Sequence, residues 1–188
     1  MKVNANTLRP GHVVDKDGKL FVVLKSQIIT PGKGASVVQL EMRGIKDGVK
    51  VNERYRTQET VERAQLEDRD YTFLYPEGEN FVFMDVENYE QIHVGREIIG
   101  EPADFLQDGM HVSIRTHEGL AVACELPQTV AMEVVEADPV IKAQTAASSY
   151  KPAKLANGRR VMVPPHIGQG MRVVVNTQTG EYMERAKD

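Results

Sequence analysis

Gly109-Met110-His111-Val112-Ser113-Ile114-Arg115-Thr116-His117-Glu118-Gly119 lies over Gly170-Met171-Arg172-Val173-Val174-Val175-Asn176-Thr177-Gln178-Thr179-Gly180 at a constant offset of 61 residues. Gly, Met, Val, Thr and Gly coincide, and Ile114 answers Val175. In each copy a strand leaves a Gly, alternates apolar with polar side chains and ends in a second Gly, the pattern of a half-buried β-strand between turns. The period equals the size of a small five-stranded barrel. The spacing therefore predicts two related β-barrels, over 65–127 and 128–188, after an unrelated N-terminal β module over 1–64.

The same pattern extends outward from the repeat. Runs rich in β-branched and aromatic residues predict strands at Leu20–Leu24, Val37–Met42, Val49–Arg56, Tyr71–Tyr75, Phe81–Asp85, Leu120–Leu126, Val130–Val135 and Arg160–Val163, besides the two in the repeat. Between them stand Asp17-Gly18, Asp47-Gly48, Glu77-Gly78, Glu118-Gly119, Asn157-Gly158 and Thr179-Gly180, residue pairs suited to tight hairpins because Gly tolerates positive φ. Only Pro102–Leu106, which opens on Pro, reads as a short helix. The chain is expected to be all-β.

Charge is unevenly spread over the 188 residues. The formal net charge is −4, but residues 1–63 carry +5, residues 64–127 carry −11 without a single lysine, and residues 128–188 carry +2. Two readings stand side by side: basic ends that meet a polyanion while the acidic middle avoids it or meets a basic protein, and ordinary variation of charge between domains. One cysteine, Cys124, excludes an internal disulfide and a thiolate zinc site, which fits a reducing cytoplasmic setting. The first residues lack the apolar run of a signal peptide, and no stretch of 18 apolar residues occurs, so neither export nor membrane insertion is expected.

One loop stands out. Thr30-Pro31-Gly32-Lys33-Gly34-Ala35-Ser36 separates two predicted strands, and the glycines flanking Lys33 strip its tip of bulk while Pro31 restricts the exit from the strand. The outcome is a thin finger bearing one long cation, although a mobile hairpin tip with a solvated lysine has the same local signature. It is neither a P-loop nor a dinucleotide fingerprint: Gly34 stands where Ser or Thr would follow the lysine, and the third Gly of the fingerprint is missing.

With this finger, the whole chain resembles the bacterial elongation factor P family. The resemblance also rests on Leu126-Pro127-x-Thr129-Val130, and on a C-terminal pattern of Lys151-x-Ala153, Gly158, Val161, Val163-Pro164, Ile167 and Gly170, followed by Thr179-Gly180-Glu181-Tyr182 and Arg185. It implies an SH3-like (KOW-like) N-terminal module and two OB-fold barrels in an L-shaped, tRNA-like arrangement. It further implies a monomeric, cytoplasmic, non-catalytic factor that binds the 70S ribosome between the peptidyl and exit tRNA sites and promotes peptide-bond formation at polyproline stalls. Lys33 would then reach toward peptidyl-tRNA and ribosomal RNA, extended by a β-lysyl-type group that a modifying enzyme attaches, with no other cofactor. The acidic middle domain would face a basic ribosomal protein. In the last domain Gln144, Thr145, Lys151, Lys154, Tyr182 and Arg185 would contact RNA, and Arg159 and Arg160 join them as candidates with an ordinary solvated face as the rival reading. Many family members have Gly-Asp-Thr where this chain has Ala143-Gln144-Thr145, which retains hydrogen-bonding capacity but loses the charge and the glycine.

Other classes fare worse. His12, His93, His111, His117 and His166 form no metal-ligand spacing beyond the weak His111/His117 pair, which alternation assigns to a solvated strand face with Ser113 and Arg115. Cys124 sits among Ala121, Val122, Ala123 and Leu126, as a small core residue would. No residues assemble into a catalytic constellation. A general single-strand RNA-binding protein built on OB folds is the main rival, but such proteins stack bases in a basic groove, and here the first barrel is acidic and aromatics are only 6%.

Overall fold

The computed structural model describes residues 1–139 and 149–187. Its strands are β1 (Lys2–Asn4), β2 (Val13–Lys16), β3 (Lys19–Ile29), β4 (Val37–Gly44), β5 (Lys50–Arg56), β6 (Thr60–Arg63), β7 (Glu67–Glu77), β8 (Asn80–Asp85), β9 (Gln91–Gly95), β10 (His111–His117), β11 (Leu120–Glu125), β12 (Thr129–Ala137), β13 (Lys151–Leu155), β14 (Arg160–Val163), β15 (Arg172–Asn176) and β16 (Tyr182–Arg185). They form three sheets, ordered β1-β6-β2-β3-β4-β5, β11-β10-β7-β8-β9 and β14-β13-β12-β15-β16. By compactness the chain divides into two units, Met1–Arg69 with Ser113–Cys124, and Asp70–Val112 with the chain from Glu125 onward.

In the first unit, the N-terminal sheet is built around the long β3/β4 hairpin. Along β4 burial alternates strictly, with Val38, Leu40 and Met42 fully enclosed. They pack with Leu8, Val14, Phe21, Val23 and Val61 into one core. Each such side chain contributes about 2 kcal/mol of apolar burial, which makes the stem of the hairpin the best-anchored part of the module.

The 61-residue repeat is structural. β7, β8, β9, β10 and β11 occupy the same places in their sheet as β12, β13, β14, β15 and β16 in theirs. The β7/β8 register slips between Phe73 and Tyr75, and the β12/β13 register slips between Val134 and Glu136, the same two positions one period later. Gly109 N–H donates to Phe73 O and Phe73 N–H to Met110 O, while Gly170 N–H donates to Val134 O and Val134 N–H to Met171 O, all at 2.8–2.9 Å. Val112, Ile114 and Thr116 are buried, as are Val173, Val175 and Thr177. Both sheets thus carry the strand order of a five-stranded OB barrel, and residues of β14 approach β16 across the seam.

All six anticipated turn glycines have positive φ, from 61° to 85°, and Asp17 and Glu118 share that conformation, as type I′ hairpins require. The helix expected at Pro102–Leu106 is instead a 3-10 turn over Glu101–Phe105, preceded by one α-helical turn, α1 (Arg96–Ile99), that the periodicity did not reveal. Gly100, at φ 79°, breaks the two apart. The short strands β1, β2, β6, β9, β13 and β16 were likewise not expected, since three to five residues are too few to display alternation. Cys124 is half-buried rather than a core residue, and Val122 and Leu126 fill the interior there. No helix among the described residues is long and apolar enough to cross a membrane.

Candidate functional site

The finger is the loop Thr30–Ser36 at the end of the β3/β4 hairpin, beyond the last strand pair, Ile29 with Val37. Its base is closed twice. Ser36 Oγ donates to Thr30 Oγ1 at 3.1 Å, and Ser36 O accepts from Thr57 N at 3.4 Å, hooking the loop to the turn after β5. Beyond this closure everything from Pro31 to Ala35 is exposed. Gly34 holds φ at 110°, a conformation costly for any residue with a Cβ, and Gly32 has open space around it. Among the described residues no hydrogen bond or ion pair holds Lys33. An ammonium ion is therefore carried on a firm stem and left without a partner, able to donate to an anion or a carbonyl that comes to it.

The C-terminal candidates, all in the second unit, have different surroundings. Lys151 donates through Nζ to the carbonyl of Asp138 at 2.6 Å, so its charge is already engaged by the backbone. Lys154 lies in register between Glu136 on β12 and Arg160 on β14, and the three exposed side chains form a row across the sheet. Tyr182 packs edge-on against Tyr150, ring centroids 6.3 Å apart. Burial first, and then Tyr150 and Glu184, push the Tyr182 phenol above its usual range, so it stays a neutral hydrogen-bonding group. Arg185 is exposed on β16 opposite Val173. Ala143, Gln144 and Thr145 lie outside the described residues. The structure thus brings Tyr182 to Tyr150, and Lys154 to Arg160. Tyr150 escaped the sequence reading because its partner lies far along the chain.

Arg159, read from the sequence as a candidate RNA contact with a solvated face as the rival reading, makes internal contacts in the structure. Its Nη1 donates to Asp104 Oδ2 at 3.1 Å, its guanidinium lies 5.5 Å from the Phe105 ring centroid, and Arg96 Nη1 donates to the other carboxylate oxygen at 3.0 Å. Asn157 Nδ2 donates to the Asp104 carbonyl at 2.8 Å. Asp104 thus ties the turn after β13 to the 3-10 turn before β10.

The histidines hold no assembled metal site among the described residues. His111 and His117 do share the face of Ser113 and Arg115, opposite the buried Val112, Ile114 and Thr116.

Three family profiles match the chain: the elongation factor P KOW-like domain over residues 4–61, the elongation factor P OB domain over 66–124, and the elongation factor P C-terminal domain over 130–185. Elongation factor P of Methylorubrum populi is 60% identical over 188 residues, covering all of both chains. The protein of the same name from Methylobacterium radiotolerans is also 60% identical over the full length of both. Among solved structures, eukaryotic translation initiation factor 5A from Methanococcus jannaschii superposes with a TM-score of 0.53 at 24% identity, covering 68% of this chain and 94% of its own, a likeness of fold.

Proposed function

The chain belongs to the elongation factor P family of translation elongation factors, and from that premise we propose that it binds the ribosome between the peptidyl and exit tRNA sites and promotes peptide-bond formation at polyproline stalls. The observation that carries this reading is Lys33, unpartnered at the tip of a stem rooted in the N-terminal core. Proline is a rigid and poorly placed nucleophile. Holding peptidyl-tRNA in a near-attack geometry lowers the entropic part of the barrier without any acid, base or nucleophile from the factor. A slender cation suits that task, because it passes between RNA walls and pairs with a phosphate or a 2′-hydroxyl. A β-lysyl-type group added to Lys33 by a modifying enzyme would lengthen the reach. The partners in this reading are peptidyl-tRNA, ribosomal RNA and, at the acidic middle domain, a basic ribosomal protein. The protein acts as a cytoplasmic monomer.

A reconstituted translation reaction on a polyproline template tests the reading. The wild-type protein raises full-length product and co-sediments with 70S ribosomes, whereas Lys33→Ala binds ribosomes and gives no rescue. Equal rescue by Lys33→Ala reduces the finger to a plain turn. Tight binding of free RNA oligonucleotides at physiological salt without ribosome association would favour a general RNA-binding role instead.

A further inference from the structure

Arg159 stands at a joint inside the second unit, at the tip of the β13/β14 hairpin. That tip is stiff: Leu155 N–H donates to Arg159 O and Gly158 N–H to Leu155 O, both at 2.9 Å, and Asn157 Oδ1 accepts the Arg159 N–H at 3.0 Å. A backbone held in this way delivers the guanidinium in one direction. What it meets, Asp104 and Phe105, belongs to the 3-10 turn of the preceding barrel.

The two arginines on Asp104 are matched. Arg96 lies 5.5 Å from the Phe81 ring centroid as Arg159 does from that of Phe105, so the order is ring, guanidinium, carboxylate, guanidinium, ring. Of these five side chains only Arg159 comes from the last domain. Arg96 holds one carboxylate oxygen from within the barrel, which leaves the other aimed at the incoming guanidinium. Gly180, in the turn before β16, gives it room: a Cβ there would stand 3.2 Å from Arg159 Nη2 and 3.7 Å from Phe105 Cζ. Gln107 Nε2 makes a second tie between the same two domains, to Ala131 O at 3.2 Å. On the hairpin so held, Lys154 and Arg160 are the last strand pair before the tip, and both are exposed.

We propose that Arg159 is a positioning residue: through Asp104 and the Phe105 ring it locks the last domain to the preceding barrel and so presents Lys154 and Arg160 at a fixed angle. The functional half of this inference rests on the RNA-contacting role proposed above. Two contact surfaces joined rigidly in the right geometry bind a common target at high effective concentration, and a loosened joint lowers that concentration without removing any contact.

Residual dipolar couplings of the weakly aligned full-length protein test the lock. In the wild type, amides of residues 71–95 and of β12–β16 should fit one alignment tensor. Arg159→Ala should need two tensors, whereas Arg96→Ala, which loses a matched ion pair inside the barrel, should keep one. Arg159→Lys retains a charge for Asp104 but loses the planar face on Phe105. It should fall between wild type and alanine, and it carries the test if Arg159→Ala does not fold. In the polyproline translation assay, Arg159→Ala should raise the factor concentration for half-maximal rescue about tenfold, as for loss of one charge-assisted hydrogen bond, with maximal rescue unchanged. Arg96→Ala should leave both values near wild type. Two tensors in the wild type, one tensor in the Arg159 variants, or equal effects of Arg159→Ala and Arg96→Ala on half-maximal rescue would overturn the proposal. The couplings involve no ribosome, so a wild type without rescue activity sinks the proposed function and leaves the lock itself standing.

Discussion

Lys33 and Arg159 are both cations at glycine-containing turns of β-hairpins, and they are set to opposite uses. Lys33 stands on an exposed seven-residue loop with no partner among the described residues. Arg159, beside Gly158, is clamped by the Asp104 carboxylate and the Phe105 ring. The difference lies in the neighbours, since a cation with a carboxylate at 3.1 Å has already formed the charge-assisted hydrogen bonds that it would otherwise offer to RNA. Charge along a chain is therefore a poor guide to contact. Availability is the informative quantity.

The contrast can be broken most severely at the finger. Lys33→Ala should reduce polyproline rescue to the level seen without the factor, while stability measured by denaturant unfolding changes by no more than about 0.5 kcal/mol, as for other exposed positions. A large loss of stability would show that the tip carries packing. Asp104→Ala should do the reverse. It strips two arginines of their shared partner and should cost about 1–2 kcal/mol, a value that allows for solvent screening at side chains 27–47% exposed.

Gly34→Ala keeps the charge of Lys33 and disturbs only its carrier. At φ 110° the added Cβ should cost about 1 kcal/mol locally, with partial loss of rescue in the same translation assay. Full rescue with unchanged stability would mean that the loop has other conformations open to it. The smallest effect concerns a residue whose neighbours are cations. Because the folded state holds the His12 pKa below 6.5, unfolding takes up protons as the pH falls through that range. The contribution of His12 is therefore fully present above pH 6.5 and is lost progressively on acidification. Denaturation midpoints compared between pH 7.5 and 5 should fall less in His12→Asn than in the wild type.

Much of the fold was legible because its signals are local. Alternation located the long strands, glycine pairs located the hairpins, and the 61-residue offset announced two barrels that share even a register slip, at Phe73/Tyr75 and at Val134/Glu136. The short strands were not legible, since β6 spans four residues and owes its place to pairing with β1 and β2. The helical turn at Arg96–Ile99 was missed for the same reason. Of the site, the finger was visible in full. The engagement of Lys151 by the Asp138 carbonyl, the Tyr150–Tyr182 contact and the capture of Arg159 were not.

Nearest neighbours along the chain settle which backbone conformations are allowed, so the sequence by itself determined the β character, the repeat and a lone lysine between two glycines. Which cations remain available was decided only by the tertiary structure. Arg159 meets its carboxylate across 55 residues, and His12 meets Arg63 and Arg115 only when β6 and β10 come together around the start of β2. Such meetings depend on how sheets close rather than on local preference. A side chain's partner, and hence its chemistry, is in this protein a property of the folded chain.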